Sequence, residues 1–96
     1  MVVVDHEPHD WFLLRDEHGL VLDVNCAQSF VSFSVVLRLS ADEAERVAAG
    51  GHKVVADLVR LIQYSPRQFS ARSGGKPLEE ATYAAIMRWR ASQPAA

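Results

Sequence analysis

The ten residues Phe30–Leu39 (FVSFSVVLRL) constrain the fold of this chain more than any other segment. Side chains alternate between the two faces of a β-strand, so a strand with one buried face shows apolar residues at every second position. The odd positions are all large and apolar: Val31, Phe33, Val35, Leu37 and Leu39. The even positions are mixed: Phe30, Ser32, Ser34, Val36 and Arg38. The pattern predicts a strand whose odd residues face the core and whose even residues face outward.

Two shorter segments before it supply neighbouring strands. Trp11–Arg15 and Leu20–Asn25 are apolar runs separated by Asp-Glu-His-Gly, a sequence typical of a tight turn. Asn25–Ser29 then links this hairpin to the third strand, which predicts a three-stranded antiparallel meander. Val2–Val4 has the composition of a short edge strand. Pro8 cannot donate a ladder hydrogen bond, however, so residues 1–10 are predicted to be a lead-in that need not be ordered.

Two helices are predicted after the strands. Ser40 and Glu43 have the spacing of a capping box, and apolar residues then recur at helical spacing as far as Tyr64. The apolar stripe keeps its phase across Gly50–Gly51, which favours one kinked helix over two. A second helix is predicted from Pro77, with fraying over 92–96. The side of this helix that is predicted to be buried comprises Leu78, Ala81, Thr82, Ala85, Ile86 and Trp89.

The predicted fold is therefore a single α+β domain of 96 residues with the order β-β-β-α-α. Both helices are expected to pack on one face of the sheet. The opposite face is then open to water, to a second copy or to another protein.

Composition limits the compartment and the class of protein. Hydrophobic residues make up 49% of the chain and charged residues 23%, which is typical of a globular domain. Cys26 is the single cysteine, so no internal disulfide can form. No signal-like segment is seen, and the longest uncharged run, Val24–Leu37, is too short and polar to span a bilayer. These features predict a cytoplasmic protein that does not enter the membrane.

Charge is divided unevenly along the chain. Residues 1–48 carry a net charge of −6 and residues 49–96 a net charge of +4, for a total of −2. Such a distribution can steer a charged partner. It lacks the strong positive charge of a dedicated nucleic-acid-binding protein, so nucleic acid is not the favoured partner.

Two features contain residue types that occur at metal sites or catalytic sites. The segment Asp5–Asp10 (DHEPHD) is rich in potential metal ligands, but Pro8 breaks the helix that would align them. Cys26 has no histidine at a spacing that indicates activation of its thiol. The sequence predicts no metal, no cofactor and no catalytic residue.

The Gly/Ser-rich basic segment Arg67–Lys76 is predicted to be a mobile loop. Glycine amides before a helix can bind an anion, which makes four residues candidates: Arg72, Gly74, Gly75 and Lys76. Bases and aromatics also interleave from Arg60 to Lys76, as on a surface that binds single strands. The alternative function is therefore a regulator that binds nucleic acid or an anionic ligand through residues 67–76.

The preferred function is protein–protein interaction through the open sheet face. Small hydroxyl groups between apolar residues make a flat, semi-apolar surface there. The protein would form a homodimer or occlude a partner in the manner of an antitoxin or immunity protein. The predicted partner-binding residues are Asp23, Phe30, Ser32, Ser34 and Arg38.

Overall fold

A computed structural model of the chain describes residues 1–28 and 30–94. It is an α+β fold built on one four-stranded antiparallel sheet with the strand order β1-β2-β3-β4. The elements are β1 (Val2–Glu7), β2 (Trp11–Asp16), β3 (Gly19–Gln28), β4 (Val31–Arg38), α1 (Ala41–Gly50), α2 (His52–Tyr64), α3 (Pro66–Ser70) and α4 (Gly75–Ser92). The predicted meander is present as β2, β3 and β4, and the structure adds a strand before it and two helices.

The added strand, β1, lies within the predicted lead-in. It pairs with β2 from Val2 to Glu7, with an irregularity between Val3 and Asp5. Pro8 does not interrupt this strand because it falls in the turn that follows. The amide of Asp10 donates to the carbonyl of Glu7 across that turn. The ladder therefore loses no hydrogen bond to the proline.

The β3–β4 hairpin is longer than expected. β3 continues to Gln28, so most of the predicted linker Asn25–Ser29 is strand. Ser29 lies outside the described residues. Leu22 faces Leu37 and Cys26 faces Phe33 across the pair.

The first predicted helix is two helices. The Ser40–Glu43 capping box is present at the start of α1, as the sequence indicated. Gly51, at φ 67° and ψ −146°, then ends α1 and precedes α2. An L-residue with a side chain is strained in this conformation, so the glycine pair acts as a break. The apolar stripe keeps its phase across the break because both helices pack on the same face of the sheet. The phase therefore does not distinguish one kinked helix from two.

Helices cover both faces of the sheet, which corrects the predicted arrangement on one face. The first core joins the sheet to α1 and α2 and includes Trp11, Leu22, Leu37, Val55, Val59 and Ile62. The second core lies under α4 and includes Leu14, Val21, Val36, Ala85 and Ile86. We call these two sides of the sheet the α1–α2 face and the α4 face.

The segment between α2 and α4 carries the chain from one face to the other. It passes the outer edge of β4, where Ser73 forms an isolated bridge with Leu37. Much of the predicted loop is helical: Pro66–Ser70 forms α3, and α4 begins at Gly75 rather than Pro77. α4 ends at Ser92, and positions 95 and 96 of the predicted frayed tail lie outside the described residues.

Candidate functional site: the β3–β4 hairpin and the outer edge of β4

Asp23, Ser32, Ser34 and Arg38 lie along the α4 face and Phe30 lies in the turn before β4, so the five predicted partner-binding residues do not share one surface. Arg38 lies at the far end of β4, opposite Val21, and its guanidinium makes two hydrogen bonds to Asp16, of 2.9 and 2.8 Å. Ser32, Ser34 and Phe30 lie toward the other end, where β3 and β4 are joined. The ion pair with Asp16 gives Arg38 a structural role away from the hairpin.

The prediction that the outer face is open holds for only part of β4. Val36 was expected to point outward, yet it is buried with Ala85 and Ile86 under α4. Beyond it, Ser34 and Ser32 are exposed. α4 therefore covers the half of β4 near Arg38 and leaves the hairpin half uncovered.

Apolar side chains are exposed at the uncovered end. Phe30 is fully exposed, and Val31 is 63% exposed although it was expected to face the core. Phe33, the next residue on the same side as Val31, is only half-buried. The exposed group Ala27, Phe30, Val31, Ser32 and Ser34 extends around the end of the hairpin from one face of the sheet to the other, and we call it the hairpin-end surface. Exposed apolar residues grouped in this way are typical of an interaction site.

The outer edge of β4 carries backbone groups directed away from β3. In an antiparallel pair, residues alternate between those that bond to the neighbouring strand and those whose N–H and C=O point the other way. The carbonyl of Val36 accepts from the amide of Gly74, and that of Arg38 accepts from the Arg72 side chain. The backbone N–H and C=O groups of the even-numbered β4 residues therefore point away from β3, off the edge of the sheet.

The facing strand gives the same alternation. Asn25 lies opposite Ser34, but its amide donates to Asp10 on the far side of β3. The backbone groups of Ser32 and Ser34 consequently project from the edge of the sheet. Within the described part of the chain, no backbone group pairs with them there. The direction of these backbone groups does not follow from the sequence, because residue type does not determine which strand a β-residue bonds to.

A polar pocket adjoins the hairpin-end surface under α4. It has a cavity volume of about 320 Å³, and its lining includes Asp23, Asn25, Ser34, Tyr83 and Arg90. Burial raises the pKa of Asp23, while the Ser34 hydroxyl and the Arg90 guanidinium oppose the shift. A half-buried carboxyl group with a raised pKa in a cleft is a frequent feature of functional sites.

The predicted anion site is engaged in internal contacts. The Arg72 guanidinium binds the Glu43 carboxylate at 3.0 and 2.6 Å, and the Gly74 amide donates to Val36. Lys76 is exposed in the first turn of α4, beside Gly75 at φ 81°. Two of the four candidate groups thus hold the chain against β4 and α1. Binding of an anion or of nucleic acid by residues 67–76 stays a prediction.

Comparison of the chain with protein-family models, with curated proteins and with solved structures finds no match.

The ligand-rich segment Asp5–Asp10 is divided between the two faces of the sheet. Asp5 and Glu7 hydrogen-bond to His52 of α2, whereas His6 stacks on Phe12 and contacts Trp89 on the α4 side. Strand alternation separates these side chains. Among residues 1–28 and 30–94, no three His, Cys, Asp or Glu side chains are grouped so that they could hold a metal ion.

Cys26 is buried on the α1–α2 face, close to the carbonyl of Val24. Burial raises the pKa of its thiol, and the nearby carboxylates of Asp10 and Asp23 act in the same direction. This environment disfavours the thiolate that a nucleophilic cysteine requires.

None of the helices in the described part of the chain combines the length and apolar character needed to cross a membrane.

Proposed function

We propose that this chain is a small non-catalytic protein–protein interaction module that binds through the hairpin-end surface and the adjoining edge of β4. The observation that carries the proposal is the outward direction of the Ser32 and Ser34 backbone groups beside exposed Phe30 and Val31. An exposed sheet edge can accept a strand from another chain, with main-chain bonds giving affinity and side chains giving specificity.

As far as the described residues show, the hairpin half of the β4 edge lacks the features that usually protect edge strands. Charged side chains, proline, bulges and covering segments normally block such pairing. On β4, the Gly74 amide and the Arg72 side chain cover Val36 and Arg38, but the hairpin half carries serine, valine and phenylalanine only. The uncovered half of this edge therefore supports binding of another strand.

The module would act by pairing with a second copy or by covering a functional surface of another protein, as antitoxins and immunity proteins do. Both forms use the same edge and need no catalytic group. The buried Cys26, whose thiol pKa is raised, supports the non-catalytic assignment. Cys26 is the only cysteine of the chain, so no internal disulfide can form, and this supports action in the cytoplasm.

A pull-down with matched variants tests the proposal. The tagged protein is incubated with nuclease-treated lysate of the source organism, and bound proteins are quantified by mass spectrometry. Ser34→Arg adds a bulky charge at the proposed surface, and Ser92→Arg adds the same charge at an exposed position at the end of α4. We expect one protein, or further copies of this chain, to bind in near-equal amount to the parent and to Ser92→Arg.

Loss of that protein from the Ser34→Arg pull-down would support binding through the hairpin-end surface. Equal binding by Ser34→Arg would reject it. Recovery of the bait alone would reject the form that covers another protein and leave pairing with a second copy, which sedimentation of the purified protein tests.

A further inference from the structure

The unprotected part of the β4 edge is a window of five residues. At one end, the chain turns at Phe30, just before β4 begins at Val31. At the other end, Gly74 bonds to Val36 and Ser73 bridges Leu37. A strand that pairs with β4 from outside is thereby confined to Val31–Val35.

The sequence of this window is a palindrome. Val31-Ser32-Phe33-Ser34-Val35 has the same residues in both directions around Phe33. Two antiparallel copies related by a two-fold axis at Phe33 would therefore place every residue opposite one of its own kind. Valine would face valine, serine would face serine, and phenylalanine would face phenylalanine. This identity favours a second copy as the occupant of the edge.

We infer that two copies of this chain pair antiparallel through Val31–Val35, with Phe33 opposite Phe33 of the second copy, to form one continuous eight-stranded sheet. This inference rests on the proposed function and names the partner. The isologous contact is closed, so pairing stops at the dimer.

The direction of the backbone groups fits this register. Ser32 would lie opposite Ser34 of the second copy, and both residues point outward from their own sheets. They would exchange both backbone hydrogen bonds, as directly opposed residues do in a hydrogen-bonded antiparallel pair. Phe33 bonds toward β3, so the two Phe33 residues would form a non-hydrogen-bonded pair, in which side chains approach most closely.

The side chains fit as well. On the α1–α2 face, the exposed Val31 would lie opposite Val35 of the second copy, which is buried in its own core, and would contact the half-buried Phe33 rings beside it. On the α4 face, the hydroxyl groups of Ser32 and Ser34 would lie opposite each other. Aromatic pairs and serine pairs both stabilise antiparallel neighbours. The window contains no charge, so no like charges meet across the axis.

Disulfide trapping tests the register. In a Cys26→Ala background, the two thiols of Phe33→Cys would lie on Cα atoms about 4.5 Å apart, within the range of a disulfide. The control is Val31→Cys, because the same register separates its two copies along the strands by about 13 Å. Mild oxidation should give a covalent dimer of Phe33→Cys, and none of Val31→Cys. Equal cross-linking of both variants, or of neither, would overturn the register.

Sedimentation across a wide concentration range tests for the dimer, first in the unmodified protein and then in two variants. We expect a monomer–dimer equilibrium that Ser34→Pro shifts to monomer and Ser34→Thr preserves. Proline removes the outward N–H but takes nothing from the β3–β4 ladder. A parent protein that stays monomeric throughout would overturn the inference. The proposed function would still stand if a different protein is captured in a Ser34-dependent way.

Discussion

The Arg72 guanidinium and the Glu43 carboxylate are joined by two hydrogen bonds, from Nη1 to Oε2 at 3.0 Å and from Nη2 to Oε1 at 2.6 Å. Oε1 of Glu43 also accepts from the backbone amide of Ser40 at 2.7 Å. One carboxylate therefore caps α1 and anchors the segment that leads to α4. It also joins the acidic half of the sequence to the basic half.

Arg72→Ala should destabilise the protein in a pH-dependent way. Hydrogen bonds from Arg72, assisted by those from Ser40, lower the pKa of Glu43 from 4.5 to about 2, and the part due to Arg72 is lost in the variant. A depressed carboxyl pKa contributes stability above the unfolded-state value, and this contribution is lost as pH falls toward the folded-state value. Arg72 is 37% exposed, so solvent screening limits the loss at neutral pH to about 1–2 kcal/mol.

Urea unfolding of the parent and of Arg72→Ala at several pH values measures this difference. The gap should narrow as pH falls from about 4.5 toward about 2. Arg60→Ala removes the same charge from an exposed position on α2 and serves as the control. A gap that is constant with pH would show that Arg72 acts through packing alone.

Ile86→Ala tests whether α4 covers the sheet. Ile86 is buried against Val21 and Val36, so its truncation should cost about 2–4 kcal/mol of unfolding free energy. Met87→Ala, at the next position of α4, removes a side chain that is 43% exposed and should cost much less. Equal costs from the two variants in chemical denaturation would contradict the packing of α4 on this face.

The residues that local spacing can identify were the ones that the sequence predicted well. The capping box involves only Ser40 and Glu43, and the alternation of β4 correctly indicated that Val35, Leu37 and Leu39 are buried. The side of the sheet on which α4 packs depends instead on the path of the chain past β4. An apolar stripe along a helix shows that one side of the helix is buried, but not against which surface.

The candidate site was predicted by residue type but not by its boundaries. A face of small polar and apolar residues indicates a contact, and this pattern is what identifies Ser32, Ser34 and Phe30. Whether each residue is covered depends on distant partners: Arg38 pairs with Asp16, 22 residues earlier. Likewise, the edge is half closed because Gly74 reaches Val36. Neither contact follows from a local pattern.

Asp23→Asn should stabilise the protein near neutral pH. Burial raises the pKa of Asp23, which means that its ionised form is less favourable in the folded state than in the unfolded chain. The stability of the parent therefore declines relative to the variant as pH rises above 3.8 and through the folded-state pKa. Thermal unfolding of both proteins across this range measures the effect.

Asp42→Asn makes the same chemical change at an exposed position in the first turn of α1 and should give no such gain. If Asp23→Asn is more stable but loses the partner in the pull-down, the half-buried carboxylate contributes to binding at the expense of stability. A variant less stable than the parent at neutral pH would contradict the direction of the pKa shift.

His52→Gln should destabilise the protein at mildly acidic pH and have less effect at alkaline pH. Nδ1 of His52 lies 2.9 Å from an Asp5 carboxylate oxygen, and Nε2 lies 3.1 Å from one of Glu7. Hydrogen bonding to Asp5, supported by Glu7, raises the pKa of His52. A raised histidine pKa contributes stability that is fully present below the unfolded-state value of 6.5 and is lost as pH rises through the folded-state value. The difference in thermal midpoint between parent and variant should therefore shrink with rising pH.

NMR titration of the His52 ring locates the transition, and His18→Gln, at an exposed turn position, is the control. A midpoint difference that does not change with pH would show that the imidazolium does not hold β1 against α2.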